Sequence, residues 1–414
     1  MPAGLLLLAA LAAAPGAPVA DSAADGGRLA VYLVTFSPGP RLWERFGHNG
    51  IWIRDTVTGD GPLYDFGRFD FQQEQFYRNF ALGRPRYWMG REDGVAVVNR
   101  YVGAERSVWL QELAILPAAR LRLRESLDAA GAADRGAYRY HYYLDNCSTR
   151  IRDAIDRAVG GALKETLSKQ PTLASWRFHT RRSLQDNVLQ YVGVTASLGP
   201  AADQLLTWWD ETFLPMKLFE YVRGVLVPGV GGVAVPLVKG EIQVARSDRY
   251  LVPDVPESWT RRFLLVGLAL GGLLWFLGAA SGRRRWARRS FLALGSVWLI
   301  LAGAFGAVFV FFWAFTEHAF AFRNQNLWQL NLLAFALLPL LPSVTRPGGR
   351  GRAAGLLAAV LGVLAVVGVG VELLAGRFAP ALWQDNGDIL ALTVPAQVGL
   401  ALGAWFAVRN RAAS

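Results

Sequence analysis

The sequence predicts an α+β domain followed by an all-α bundle of about five transmembrane helices. Up to about residue 256, charged and apolar residues are interspersed and short β-branched runs recur. From Phe263 onward, apolar runs of membrane-crossing length dominate. Arginine clusters punctuate those runs at the ends expected of cytoplasmic loops.

Met1 to Ala14 is short and apolar, with small residues near Ala20 and Ala24. Residues 1–24 therefore read as a signal peptide or an anchor, although the basic leader is missing. Residues 25–256 read as an exported catalytic domain and 257–414 as the transmembrane domain. Within the first, strands are expected over Leu29–Phe36, Gly50–Arg54 and Pro62–Gly67, the last after a Thr-Gly-Asp-Gly turn. Val95–Tyr101 reads as a further strand and Tyr138–Leu144 as extended. Pro117–Ala130 has helical spacing. So does Cys147–Val159, where Ile151, Ala154, Ile155 and Ala158 form one stripe behind the capping residues Asp145 and Asn146. The membrane spans are expected at Phe263–Ala280, Phe291–Phe315, Leu327–Leu341, Ala353–Leu374 and Ile389–Val408, the third tilted or re-entrant.

The 414 residues carry a net charge of +11. Much of it sits in the loops Arg283–Arg289 and Arg346–Arg352 and in the tail at Arg409 and Arg411. As topology signals these put the C-terminus in the cytoplasm and the N-terminal domain outside, and they remove the case for a nucleic-acid partner.

One cysteine is present, so no internal disulfide can form. A lone thiol at the first turn of a helix is favoured as a thiolate by the dipole and the free N–H groups there, which also suit an oxyanion. The plainer reading of Cys147 is a small core residue. A nucleophile needs a base, and His48 is the choice, flanked by Gly47 and Gly50. Asp65, on the next strand, reads as the group that orients it or as a turn or salt-bridge residue. His141 reads as a neighbouring or structural histidine, and His179, among arginines, as a surface or head-group-binding residue.

Asn146 reads as helix cap or carbonyl polariser, and Arg150 as phosphate ligand or solvated face. Arg177, Arg181 and Arg182 read as a lipid head-group patch or a plain surface cluster. His318, Asn324 and the polar run Gln384–Asp388 read as a substrate entry or ordinary capped loops. No metal-ligand spacing or phosphate loop is present, so neither a metal nor ATP is expected.

A histidine on an early strand, a polar residue on the next and Asn-Cys at a helix start resembles a circularly permuted papain-like thiol-enzyme fold. Lecithin:retinol acyltransferases and permuted NlpC-type peptidases share that order. Phe46-Gly47-His48-Asn49-Gly50, Tyr64-Asp65-Phe66-Gly67, Tyr140 to Arg150 and Trp209 to Pro215 are more similar still to the Lnb-type lipoprotein N-acyltransferases. That resemblance covers about residues 29–220. It implies Cys147 as nucleophile, His48 as base and a bacterial inner-membrane location with a periplasmic catalytic domain. It also implies a phospholipid acyl donor, a diacylated lipoprotein acceptor, and no cofactor. The other readings are a membrane-tethered cell-wall peptidase or amidase and a non-catalytic lipid- or lipoprotein-binding protein.

Overall fold

A computed structural model describes residues 26–132, 137–346 and 348–412. The stretch read as signal or anchor, 1–24, lies outside them. The chain forms two compact units: residues up to Trp176 with Leu205–Asp254, and Arg177–Gln204 with the chain from Val255 onward. Residues 177–204, which the sequence reading assigned to the soluble domain, thus belong to the helical unit.

The first unit is α+β. Its antiparallel sheet contains β1 (Leu29–Phe36), β2 (His48–Asp55), β3 (Pro62–Arg68), β4 (Arg86–Asp93), β5 (Val108–Leu113), β6 (Tyr138–Arg139) and β7 (Val238–Ala245). They lie in the order β7-β5-β1-β2-β3-β4-β6. Alternation along the strands buries both faces. Leu29, Val31, Leu33, Ile51 and Ile53 pack with Leu123, Leu127, Ile151 and Ile155. Val34, Phe36, Trp52 and Leu63 pack with Val97, Val98 and Val108 on the other side.

Helices α1 (Phe76–Ala81), α2 (Gly94–Gly103), α3 (Pro117–Ala132) and α4 (Cys147–Ala158) complete what positions the site. Two expectations need correction. Val95–Tyr101 is helical, not a strand: the Asp93 carboxylate caps it by accepting from the Ala96 N–H at 2.8 Å. Its buried residues Gly94, Val97 and Val98 follow a spacing of three and four, so packing overrides the β propensity of valine. Tyr138–Leu144 is extended only over Tyr138–Arg139. From His141 the chain turns back to pair with Asp145.

In the second unit, five helical stretches among the described residues are long and apolar enough to cross a membrane: Thr260–Ala280, Arg285–Phe315, Gln325–Thr345, Gly349–Phe378 and Gly387–Asn410. The third is broken, a short α segment at Leu333–Leu337 between 3-10 turns, with Pro342 inside the last. The first and last of these helices touch through glycines: a Cβ on Gly399 would lie 2.1 Å from the Gly271 carbonyl oxygen. Such small-residue contact drives helix association in lipid.

Candidate active site

The hairpin β2–β3 sets the pair chosen from the sequence. Gly50 stands opposite Asp65, so His48, two residues from Gly50, shares a face with the carboxylate. His48 Nε2 lies 3.1 Å from Asp65 Oδ2. The imidazole also interacts with the Cys147 side chain. Since Asp65 holds Nε2, Nδ1 is the ring nitrogen left for the thiol. The structure therefore brings Cys147, His48 and Asp65 into one chain of contacts.

The sequence reading missed what holds that chain in register. Asn49, next to His48, donates to Thr35 Oγ1 at 2.8 Å. Its Oδ1 lies 2.8 Å from the hydroxyl of Ser148, next to Cys147. The Ser148 hydroxyl, shared between Asn49 Oδ1 and the Thr212 carbonyl at 2.6 Å, thus links the residue after the base to the residue after the thiol. Both sit inside the quoted motifs, and their adjacency to the reactive pair is the only sequence signal they give.

Arg68 was also missed. It donates from Nε to Asp65 Oδ1 at 2.7 Å and pairs with Glu92. Gly67 lies between Asp65 and Arg68 at φ +90, a conformation natural only for glycine. There β3 shifts register against β4. A Cβ on Gly67 would sit 3.5 Å from both Cys147 Cβ and Tyr140 Cε2, so the kink leaves the thiol room.

Asn146 is the cap of α4. Its Oδ1 accepts from the N–H groups of Ser148 and Thr149, both at 2.9 Å. Its amide donates to the carbonyls of Tyr142 and Phe213 at 2.9 and 3.0 Å. With both amide hydrogens engaged, it has none left to polarise a substrate carbonyl, which corrects that reading. The oxyanion expectation narrows too, because the cap takes two of the first-turn N–H groups and leaves that of Cys147. Phe213 belongs to the Trp209–Pro215 motif, whose carbonyls cradle the Asn-Cys turn.

Arg150 is not a free cation. It grips Asp145 with two bonds of 2.6 and 2.7 Å and stacks 3.6 Å over Tyr138. His141 lies in the turn before α4, where its Nδ1 accepts from the N–H groups of Tyr143 and Leu144 at 3.2 and 3.1 Å.

The electrostatics centre on His48. Burial alone would push its pKa down; Tyr101, Cys147 and the hydrogen bond to Asp65 outweigh that and hold it well above the ordinary value. Burial pushes the Asp65 carboxyl up, but His48 and Arg68 hold it below the usual carboxylate range. The ring of Tyr101 runs nearly parallel to His48, 6.1 Å between centroids, and stacks on Phe36 at 3.7 Å.

Arg106, a further residue missed in the sequence, lies over the Tyr101 ring at 4.6 Å and interacts electrostatically with Cys147. Only 4% exposed, it donates from Nε to the Ser37 carbonyl at 2.6 Å, while Nη2 is buried with no partner. Burial pushes its guanidinium below the ordinary value, opposed by Tyr101, Glu44 and Cys147. Burial, with Cys147 beside it, also pushes the Tyr140 phenol well up, so that hydroxyl stays neutral.

Residues 18–187 match the family model of the Lnb N-terminal periplasmic domain. The N-terminal domain is of the Lnb type. The matched span includes His48, Asp65 and Cys147 but ends before the Trp209–Pro215 motif and the apolar helices. A periplasmic Lnb-type domain and five candidate spans together fit a membrane protein. No curated protein and no solved structure matches the chain.

The remaining sequence candidates lie in the helical unit. Arg177 was read as surface or head-group charge. It is buried instead, held by Asp203 through bonds of 2.7 and 2.9 Å and by the Thr195 carbonyl. His179 is likewise buried, not on the surface, and accepts from Arg182 Nε at 3.0 Å. Arg181 pairs with Asp385 and, at 3.0 Å, with Asp388, which also accepts from the Tyr191 hydroxyl. Asn324 and Asn326 both donate to the Ala196 carbonyl, and Gln384 donates to Asn324. These amides form a buried network and not a solvated loop. His318 is half-buried with its ring 5.3 Å from Phe312.

Proposed function

We propose that this protein transfers a fatty acyl group from a membrane phospholipid, through a thioester on Cys147, to the N-terminal amine of lipoproteins. The observation that carries the reading is that His48, hydrogen-bonded to Asp65, also interacts with Cys147 at the start of α4, within an Lnb-type domain. The order of these groups along the chain is that of a permuted papain-like thiol enzyme. The positive-inside pattern adds a cytoplasmic C-terminus to the reading.

In the first half-reaction His48, having taken the Cys147 proton, is the imidazolium, and the sulfur attacks the ester carbonyl of the donor. The tetrahedral intermediate gathers negative charge beside the Cys147 N–H and the Arg106 guanidinium. It collapses by breaking the C–O bond, and His48 returns the proton to the departing lyso-phospholipid oxygen. In the second, the lipoprotein amine attacks the thioester and loses a proton to His48. The C–S bond breaks and the thiol is restored. Asp65 remains ionised throughout and holds the imidazole in place.

Purified full-length protein incubated with phosphatidylethanolamine should acquire one acyl mass on the Cys147 peptide. A diacylglyceryl-cysteine peptide should discharge it with acylation of that peptide's amine. Cys147→Ala should remain folded and acquire nothing. A folded wild-type protein that takes no acyl group but releases cell-wall peptides would overturn the proposal in favour of a peptidase.

A further inference from the structure

The first unit carries an aromatic surface that the chemistry above does not use. Trp43, Phe71, Tyr77 and Phe80 are 48%, 42%, 70% and 53% exposed. They are one patch: Trp43 lies 5.4 Å from Phe71, Phe71 6.3 Å from Tyr77, and Phe80 joins through Phe76 at 6.1 Å. Clustered exposed aromatics of this kind mark an interaction surface and not chance exposure.

Two observations indicate what the patch meets. The first is composition. The segments bearing it contain Arg41, Arg45, Arg78, Arg84 and Arg86 against Glu44, Asp70 and Glu74, and Arg41 lies 5.7 Å over the Trp43 ring. Tryptophan and tyrosine beside arginine is the chemistry of an anionic membrane interface, in a chain with five membrane-length helices. The second is continuity with the thiol. Phe69 contacts Trp43 and Phe71 on one side and stacks on Tyr87 at 4.9 Å on the other. Tyr87 stacks on Tyr140 at 4.4 Å, and Tyr140 shares the gap over Gly67 with Cys147. Rings therefore run from the exposed patch to Tyr140, which borders Cys147 across Gly67.

We infer that the Trp43–Phe71–Tyr77–Phe80 patch is the surface through which this domain enters the lipid interface, and that the Phe69–Tyr87–Tyr140 track guides a lipid acyl ester from there to Cys147. The guiding step rests on the acyl-transfer reading; the lipid contact does not.

The two parts separate experimentally. The full chain carrying Cys147→Ser and Phe80→Cys, spin-labelled at position 80, is placed in bilayers containing phosphatidylglycerol. The nitroxide should collide with oxygen more than with a water-soluble nickel chelate. Preference for the chelate, or protection from both reagents as in a protein contact, overturns the lipid surface whatever the enzyme does. Separately, Tyr77→Ser/Phe80→Ser in the otherwise native chain should slow Cys147 acylation by bilayer phospholipid about tenfold, with reaction toward a water-soluble short-chain thioester unchanged. Equal loss with both acyl donors, or loss with neither, overturns the guiding role. If wild-type Cys147 takes no acyl group from either, the acyl-transfer reading fails while the nitroxide result still stands.

Discussion

Replacing Asp65 by Asn tests the site at the contact that organises it. Asn keeps the shape and removes the charge that His48 Nε2 faces at 3.1 Å. Arg68 keeps its second partner, Glu92, so the local fold should survive. A buried hydrogen bond to a charged group contributes about 1.5–3 kcal/mol. If that is realised in the transition state, Cys147 acylation should slow about ten- to hundredfold. The pH profile carries the sign. His48 sits above its ordinary pKa partly because of Asp65, so the variant should lose its imidazolium at lower pH. The pH at which the His48 imidazolium is lost, followed by NMR of the ring carbons, should then move toward acid. Unchanged rate and unchanged titration would refute the orienting role.

The same shifts make the native state pH-sensitive on two sides. His48 is raised, so its contribution is whole below about pH 6.5 and fades as pH climbs through the higher folded value. Asp65 is lowered, so its contribution is present above about pH 3.9 and fades as pH falls through the folded value. His48→Gln should flatten the alkaline side of a melting-temperature profile; retention of the slope would assign it elsewhere. Arg106→Gln removes the buried charge that acts on Cys147 and should reduce acylation by about ten- to hundredfold, while loss of the Nε bond to the Ser37 carbonyl lowers the melting temperature only modestly. In the helical unit, Arg177→Ala strands Asp203 without its cation and should cost about 3–5 kcal/mol in unfolding experiments, largely recovered in Arg177→Met/Asp203→Leu. A single-variant cost below about 1 kcal/mol would contradict that buried pair.

The sheet is legible where one residue pattern admits one structure. Leu29–Phe36 reads as a strand because its β-branched run fills two buried faces, and the contact of Asp65 with His48 follows from a short hairpin. Val95–Tyr101 is misread because a valine-rich helix buried on one side has the composition of a strand, and only the cap Asp93 betrays it. Arg177 is misread for the opposite reason. Its surroundings in sequence are basic, and the carboxylate that neutralises it lies 26 residues away. Arg106 is likewise silent in sequence, because what distinguishes it is an unpaired nitrogen in a buried place. Non-local pairing leaves no local pattern to read.

The arrangement of charges also fixes which part each group can play. Asp65 uses its two oxygens on two donors, Oδ2 for His48 and Oδ1 for Arg68, and its carboxyl is held below the ordinary range. It therefore does not receive the proton, and the imidazole cannot turn away without giving up a buried bond. With Nε2 committed to Asp65, Nδ1 is the ring nitrogen left to serve the sulfur, and under the proposed acyl transfer the Cys147 proton would pass through it. Asn49 and Ser148 then hold β2 and the start of α4 in the one register where that nitrogen and that sulfur meet. Ser148→Ala should for this reason slow the reaction of the thiol more than it destabilises the fold, because a shift of a few tenths of an ångström at the helix start breaks alignment before it breaks packing. Equal acylation rates in the two proteins would show that the register is set by something other than this bond.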